Sequence, residues 1–196
     1  MSEILANKIT PVTGTTVTLG DSGDTFTIPS GVTVANSGTA TGFGKVVQVV
    51  NVQDGAIATG TTVITHGVSI PQISEGTEFM TLAITPTNAS NKLIIRVGAT
   101  HTSSVISRWI LGALFQDSTA NALASAMPYY HAVSPATIGS DLTIQHYMTA
   151  GTTSETTFRY RAGLSLAGTI SFNGQSSNVR FGGTLASSIT IWEISA

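Results

Sequence analysis

The sequence predicts an all-β protein, and three observations predict it. Short runs of β-branched residues recur along the chain, Gly, Ser, Asn and Asp turn signals separate them, and no strand–helix alternation is present. The last point argues against a parallel nucleotide-binding sheet. The 196 residues suffice for one ordinary domain plus an appendage. Charged residues make up 9% of the chain and hydrophobic ones 41%, whereas an average soluble domain has about 25% charged residues. Thr, Ser and Gly therefore supply the surface polarity, a composition that fits chains locked into large assemblies.

Composition divides the chain near Gly42-Phe43-Gly44, giving an anchor and stem over residues 1–44 and a head over 45–196. Residues 10–42 are mostly Thr, Gly, Ser and Val. Short pieces, Val17-Thr18-Leu19, Phe26-Thr27-Ile28 and Val32-Thr33-Val34, each read as a brief strand bounded by turn signals such as Gly20-Asp21-Ser22-Gly23. Ordering a residue costs about 1–2 kcal/mol in backbone entropy, and each buried apolar side chain returns about 1.5–3 kcal/mol. So few large apolar residues do not hold this segment together in one copy. Two readings follow, a disordered tail or a short β-stem shared between chains, and the alternating Thr-aliphatic pattern favours the stem.

The head begins with the run Val46-Val47-Gln48-Val49-Val50 and a turn at Asp54-Gly55. Further strands are expected near 61–64, over 78–85 ending at Pro86, and over 93–102 and 108–116. Ala122 to Ala126 is expected to be a strand rather than a helix. The last four are expected over 142–148, 156–163, 168–172 and 188–194. About ten short strands joined by polar turns are the signature of a β-sandwich or jelly-roll-like head. Trp109 and Trp192 fall in these strands and are expected in the core.

Two stretches carry a family resemblance. The opening Met-Ser-Glu-Ile-Leu-Ala-Asn-Lys-Ile-Thr, followed by Gly20-Asp21-Ser22-Gly23-Asp24-Thr25-Phe26-Thr27-Ile28-Pro29-Ser30-Gly31-Val32, resembles the N-terminal regions of fibre-like virion proteins of marine phages and cyanophages. Lys45 to Asn51, Ser69-Ile70-Pro71-Gln72, Glu78 to Pro86, Asn91 to Ile95 and Ala113 to Asp117 together resemble a globular module of phage structural proteins. The resemblance implies a tailed-phage virion fibre or a capsid decoration protein. It also implies a homotrimer, made in the host cytoplasm and located on the virion. Other virion proteins, of capsid or tail, are then the expected partners of the N-terminus. Ile4, Leu5 and Ile9 are the candidate anchor residues.

Chemistry is sparse. Cysteine is absent, which rules out disulfides and thiolate sites. His66, His101, His131 and His146 show no metal-ligand spacing, and no nucleophile-elbow motif occurs. No catalytic residue, metal or cofactor is expected, and the chain reads as a non-enzyme. Asp21 and Asp24 read as a hairpin turn, and Glu75 and Glu78 as residues bordering a strand start. The net charge of −2, without basic clusters, argues against nucleic acid and against a membrane surface. No apolar run reaches the ~20 residues of a membrane span, and no export signal opens the chain. The segment Met127-Pro128-Tyr129-Tyr130-His131 is expected to be a loop. Tyr129, Tyr130 and His131 form the candidate receptor-binding group, since adjacent tyrosines present flat faces with polar tips to a host surface glycan or protein. Packing at the end of the sandwich or between subunits is the competing reading for the tyrosines.

Overall fold

The structure is a computed structural model that describes residues 13–18, 21–25, 27–33, 46–128 and 138–196. The chain divides into two units, Met1–Phe43 and Gly44–Ala196. In the first, the described residues are all exposed and none lies in a strand. Turns are present there: Asp24 donates its backbone N–H to the Asp21 carbonyl at 3.1 Å, and Val32 donates to Pro29 at 3.2 Å. Of the expected strand pieces, residues 17–18, 27–28 and 32–33 are described and lie in turns or extended links, while Leu19, Phe26 and Val34 lie outside the described residues. The physical reason is that a ladder needs a partner, and no paired strand lies beside them among the described residues.

The second unit is all β. Its strands are β1 (Val46–Asp54), β2 (Ala58–Gly60), β3 (Thr77–Ile84), β4 (Lys92–Ser103), β5 (Ile110–Gln116) and β6 (Ala124–Ala126). Then come β7 (Ile138–Thr149), β8 (Thr156–Leu164), β9 (Ile170–Phe172), β10 (Gly174–Gln175), β11 (Asn178–Val179) and β12 (Ser187–Ile194). Eight principal strands form two antiparallel sheets, ordered β1-β12-β4-β7 and β3-β8-β5-β6. In this order the first strand pairs with the last, and the chain wraps back and forth between sheets as in a jelly roll. β4 is the spine of the first sheet. Its leading residues pair with β12, its last three with β9, and its other edge with β7 throughout.

The core lies between the sheets. Leu93, Ile95, Val97 and Ala99 on β4, Ile189 and Ile191 on β12, and Phe158, Tyr160 and Ala162 on β8 all point into it. Strict alternation along β12 sets the pattern, with Ile189 and Ile191 inward and Thr190 and Trp192 outward. That corrects the expected core position of Trp192: the two isoleucines decide the parity, and the indole takes the outer side. Trp109 lies one residue before β5, half-buried against a small second cluster around Leu111, Ala113 and Phe115.

Two further differences from the sequence reading have local causes. The strand expected near 61–64 is an unladdered segment, and the assigned strand sits earlier, at Ala58–Gly60. Gly163 explains the close approach of that segment: a Cβ there would lie 2.4 Å from the Thr62 carbonyl oxygen. The hairpin of β10 and β11 gave no sequence signal because its two central residues are serines. Ser176 and Ser177 adopt φ of 49° and 61°, the left-handed geometry that two-residue hairpins require and that Asn-Gly or Gly usually supplies.

Candidate interaction surface

The candidate receptor residues Tyr129, Tyr130 and His131, and the candidate anchor residues Ile4, Leu5 and Ile9, lie outside the described residues. The described residues offer three places where function could reside: the carboxylates, a cleft, and an outer sheet face.

The carboxylates hold the fold together. Glu193 on β12 is fully shielded from solvent and accepts from Asn91 Nδ2 at 2.6 Å, Gln48 Nε2 at 2.6 Å, Thr87 N–H at 2.8 Å and Thr87 Oγ1 at 2.9 Å. Burial alone would raise its pKa, but the hydrogen bonds from Asn91, Gln48 and Thr87 outweigh burial and hold it below the ordinary carboxylate value. Glu75 closes a loop by accepting from the backbone N–H of Thr65 and of Gln72, at 2.9 and 2.7 Å. Those bonds likewise overcome its burial and lower its pKa. Glu78 pairs with Arg159 and Arg161 at 3.3 and 3.2 Å. Asp117 accepts from Thr157 N–H and Thr156 Oγ1, both at 2.8 Å. Asp24 accepts from Asp21 N–H at 2.8 Å, the turn that the sequence reading expected.

Two histidines, His101 and His66, are engaged by neighbouring rings and a hydroxyl. His101 is buried between the sheets, its Nε2 2.7 Å from the Tyr160 hydroxyl and its ring among Phe79 and Phe172. Burial lowers its pKa to about 4, against a smaller opposing effect of the Ser171 backbone. Burial also raises that of Tyr160. His66 stacks on Trp109 with ring centroids 5.3 Å apart. Among the described residues, no group of three or more His, Asp or Glu side chains is placed to hold a metal ion. No helix among them is long and apolar enough to cross a membrane. A cleft of about 240 Å³ opens between the Ile64–Pro71 segment and β5–β6, bordered by Pro71, Leu111 and Met127, with His66 as its one titratable lining residue.

The outer face of the β1-β12-β4-β7 sheet is the most distinctive surface. Register places Val49, Trp192, Ile94 and Tyr147 side by side in one row across all four strands. Val46 and Ile194 extend the apolar area at one corner, beside Lys92 and Thr149. Val46, Val49 and Tyr147 are 52%, 51% and 60% exposed, and Ile94, Trp192 and Ile194 are partly exposed. The following rows, Asn51-Thr190-Arg96-Gln145 and Gln53-Ser188-Gly98-Thr143, are polar and nearly uncharged. The sequence reading missed this row because it emerges only when four separate strands are laid in register.

No family model and no curated protein matches the chain. Among solved structures, it is similar to the Eiger TNF of S. frugiperda at 9% identity and TM-score 0.36, over 75% of this chain and 93% of that one. It is also similar to a chain in the structure of infectious bursal disease virus, Gx strain, at 8% identity and TM-score 0.37. That match spans 82% of this chain and 44% of the viral one, less than half its length. Likenesses this distant carry no argument about function.

Proposed function

We propose that this chain is a non-enzymatic structural protein of a phage virion, a homotrimeric fibre exposed on the particle and acting in host-surface attachment. The observation that carries the reading is the outer sheet face, where an aromatic and aliphatic row lies beside mostly neutral polar rows. A solitary antiparallel sheet turns polar side chains to water, so this surface suits a chain that works by contact with other proteins. The engaged carboxylates support the non-enzymatic part, since each described one above is bound into a turn, a strand or an ion pair. The resemblance of the opening residues and of the 45–117 segments to phage structural proteins supports the virion.

In this reading residues 1–44 anchor the protein to the particle and form a stem shared by three copies, while the head projects outward. Three weak sites on one trimer raise the effective concentration of each, so no single contact need be tight. The alternative is a capsid decoration protein or head fibre that reinforces the shell. The specific observation favouring it is the shortness of the Thr- and Gly-rich segment, residues 10–42, as a shaft. Light scattering on the purified full chain is expected to give three chains per particle, and a monomer would overturn the proposal. Immunogold labelling of the virion with quantified copy number separates the two roles: a few dozen copies or fewer mark a tail fibre, hundreds a decoration. Release of reducing sugar from host polysaccharide would overturn the non-enzymatic part.

A further inference from the structure

We propose that the cleft beside the loop of residues 65–72 is a binding site for one neutral sugar ring of a glycan. The attachment reading above supplies only the source of that glycan, the host surface; the site itself rests on the geometry of the loop and of β5 and β6.

The wall of the cleft is fixed by the fold. Leu111, Ala113 and Phe115 of β5 pack with Ile64 and Ile73, so the segment carrying the loop lies along the outer side of that strand. Ile64 donates its backbone N–H to the Leu164 carbonyl at 3.1 Å, and Ile73 donates to the Ala120 carbonyl at 2.8 Å. Between these two points the Glu75 carboxylate accepts from the N–H groups of Thr65 and Gln72, so one side chain grips both ends of the loop. His66, inside the loop, stacks on Trp109. A loop held in this way has little freedom left to lose when a ligand arrives, and such preorganisation favours binding.

Three observations set the chemistry of the ligand. The first is size. The cleft holds about 240 Å³, below the roughly 300–1,000 Å³ of pockets that enclose drug-sized ligands, so it suits one small ring. The second is charge. No Asp, Glu, Lys or Arg lines the cleft, and a charged ligand would leave water for a site with nothing to neutralise it. The third is hydrogen bonding. Ser69, Ser125 and His66 line the cleft, and the two hydroxyls and the ring nitrogens make no hydrogen bond among the described residues. They stand beside the apolar surface of Leu111, Pro71 and Met127. A pyranose divides in the same way, with hydroxyls around its rim, C–H groups on its faces and no charge. A purely apolar ring would cover the polar groups without bonding them, which costs free energy. Neighbouring depressions share His66 on one side and Ser69, Pro71 and Ser125 on the other, which leaves room for the sugars before and after the bound ring.

Saturation-transfer NMR on the full-length chain tests the site. The probes are the methyl glycosides of glucose, galactose, mannose and N-acetylglucosamine, with methyl glucuronide as the anionic control. At least one neutral glycoside is expected to bind and to shift the His66 ring signals, and the glucuronide is expected to do neither. Ser69→Ala with Ser125→Ala, at two exposed positions, is expected to leave the circular dichroism spectrum unchanged and to weaken binding about tenfold or more, because two hydrogen bonds to the ligand are lost. Ser125→Trp, which fills the cleft from an exposed strand position, is expected to abolish binding. Failure of every neutral glycoside to bind would overturn the inference. So would equal binding of the glucuronide, binding that leaves the His66 signals in place, or undiminished binding by both variants. A trimer found on the virion that binds no glycoside overturns this inference alone. A glycoside-binding chain that is absent from the virion overturns the proposed function and leaves the site standing.

Discussion

Acid should destabilise the head through His101. The ring lies between the sheets at 0% exposure, bonded to the Tyr160 hydroxyl at 2.7 Å, with aromatic rings on its other sides. An imidazolium has no carboxylate to meet there, so burial lowers the pKa from 6.5 to about 4. The unfolded chain thus takes up this proton near pH 6.5, while the folded chain resists until about pH 4. Between those values the unfolded state binds more protons, and stability falls as pH falls. Above pH 6.5 the contribution is fully present. Each pKa unit corresponds to about 1.4 kcal/mol, so about 2 kcal/mol is lost by pH 5 and about 3 kcal/mol below pH 4. Urea unfolding at pH 7.5 and pH 5, at one protein concentration, measures this. His101→Gln removes the titrating group, so its loss over the same interval should be smaller by about 2 kcal/mol. Titration of the His101 ring near pH 6.5 by NMR in the folded protein would refute the reasoning, as would identical pH losses in the two proteins. Glu193 and Glu75, with lowered pKa values, also lose stabilisation as pH falls, in both proteins alike.

Two other perturbations test particular contacts. Glu193→Ala removes the acceptor that Asn91, Thr87 and Gln48 share; at about 1–3 kcal/mol per buried polar group left unsatisfied, the loss should be about 3–5 kcal/mol. Glu193→Gln, which keeps one acceptor oxygen, should cost about 1–2 kcal/mol, and equal losses in urea unfolding would show that these hydrogen bonds do not stabilise the head. Gly163→Ala sets a Cβ 2.4 Å from the Thr62 carbonyl oxygen and 3.1 Å from the Ile64 nitrogen. Both are backbone atoms that cannot swing away, so calorimetry should show a loss of at least about 2 kcal/mol, roughly 5 °C or more in Tm; a change under about 1 °C would contradict the packing.

Strand existence in the head was legible because the signal is local. β-branched runs bounded by turn residues locate β1, β3, β4, β7, β8 and β12 within a few residues, and Ala124–Ala126 is a strand as expected. What escaped depends on distant partners. Gly60 supports no side chain because Thr77 lies over it, its Oγ1 2.2 Å from where a Cβ would stand, and nothing near Gly60 in sequence announces that. The Ser176-Ser177 turn carries the backbone of a hairpin without its usual residues. The role of Glu193 was equally hidden, because its donors come from positions 48, 87, 88 and 91, about a hundred residues or more away. The outer apolar row was illegible for the same reason: Val49, Trp192, Ile94 and Tyr147 each come from a different strand.

β12 shows how the core residues of a strand decide where its other side chains face. Its residues alternate, and a slip by one position would turn Ile189 and Ile191, both at 0% exposure, out of the core. At about 1.5–3 kcal/mol for each, that alternative is closed, so the isoleucines fix which way every other residue of the strand faces. Glu193 is then forced inward, and the donors of Gln48, Thr87 and Asn91 make that tolerable. Trp192 is forced to the outer side, where it is partly exposed and flanked in register by Ile94 and Val49. The apolar row on the outside is thus a consequence of the register that the core isoleucines set.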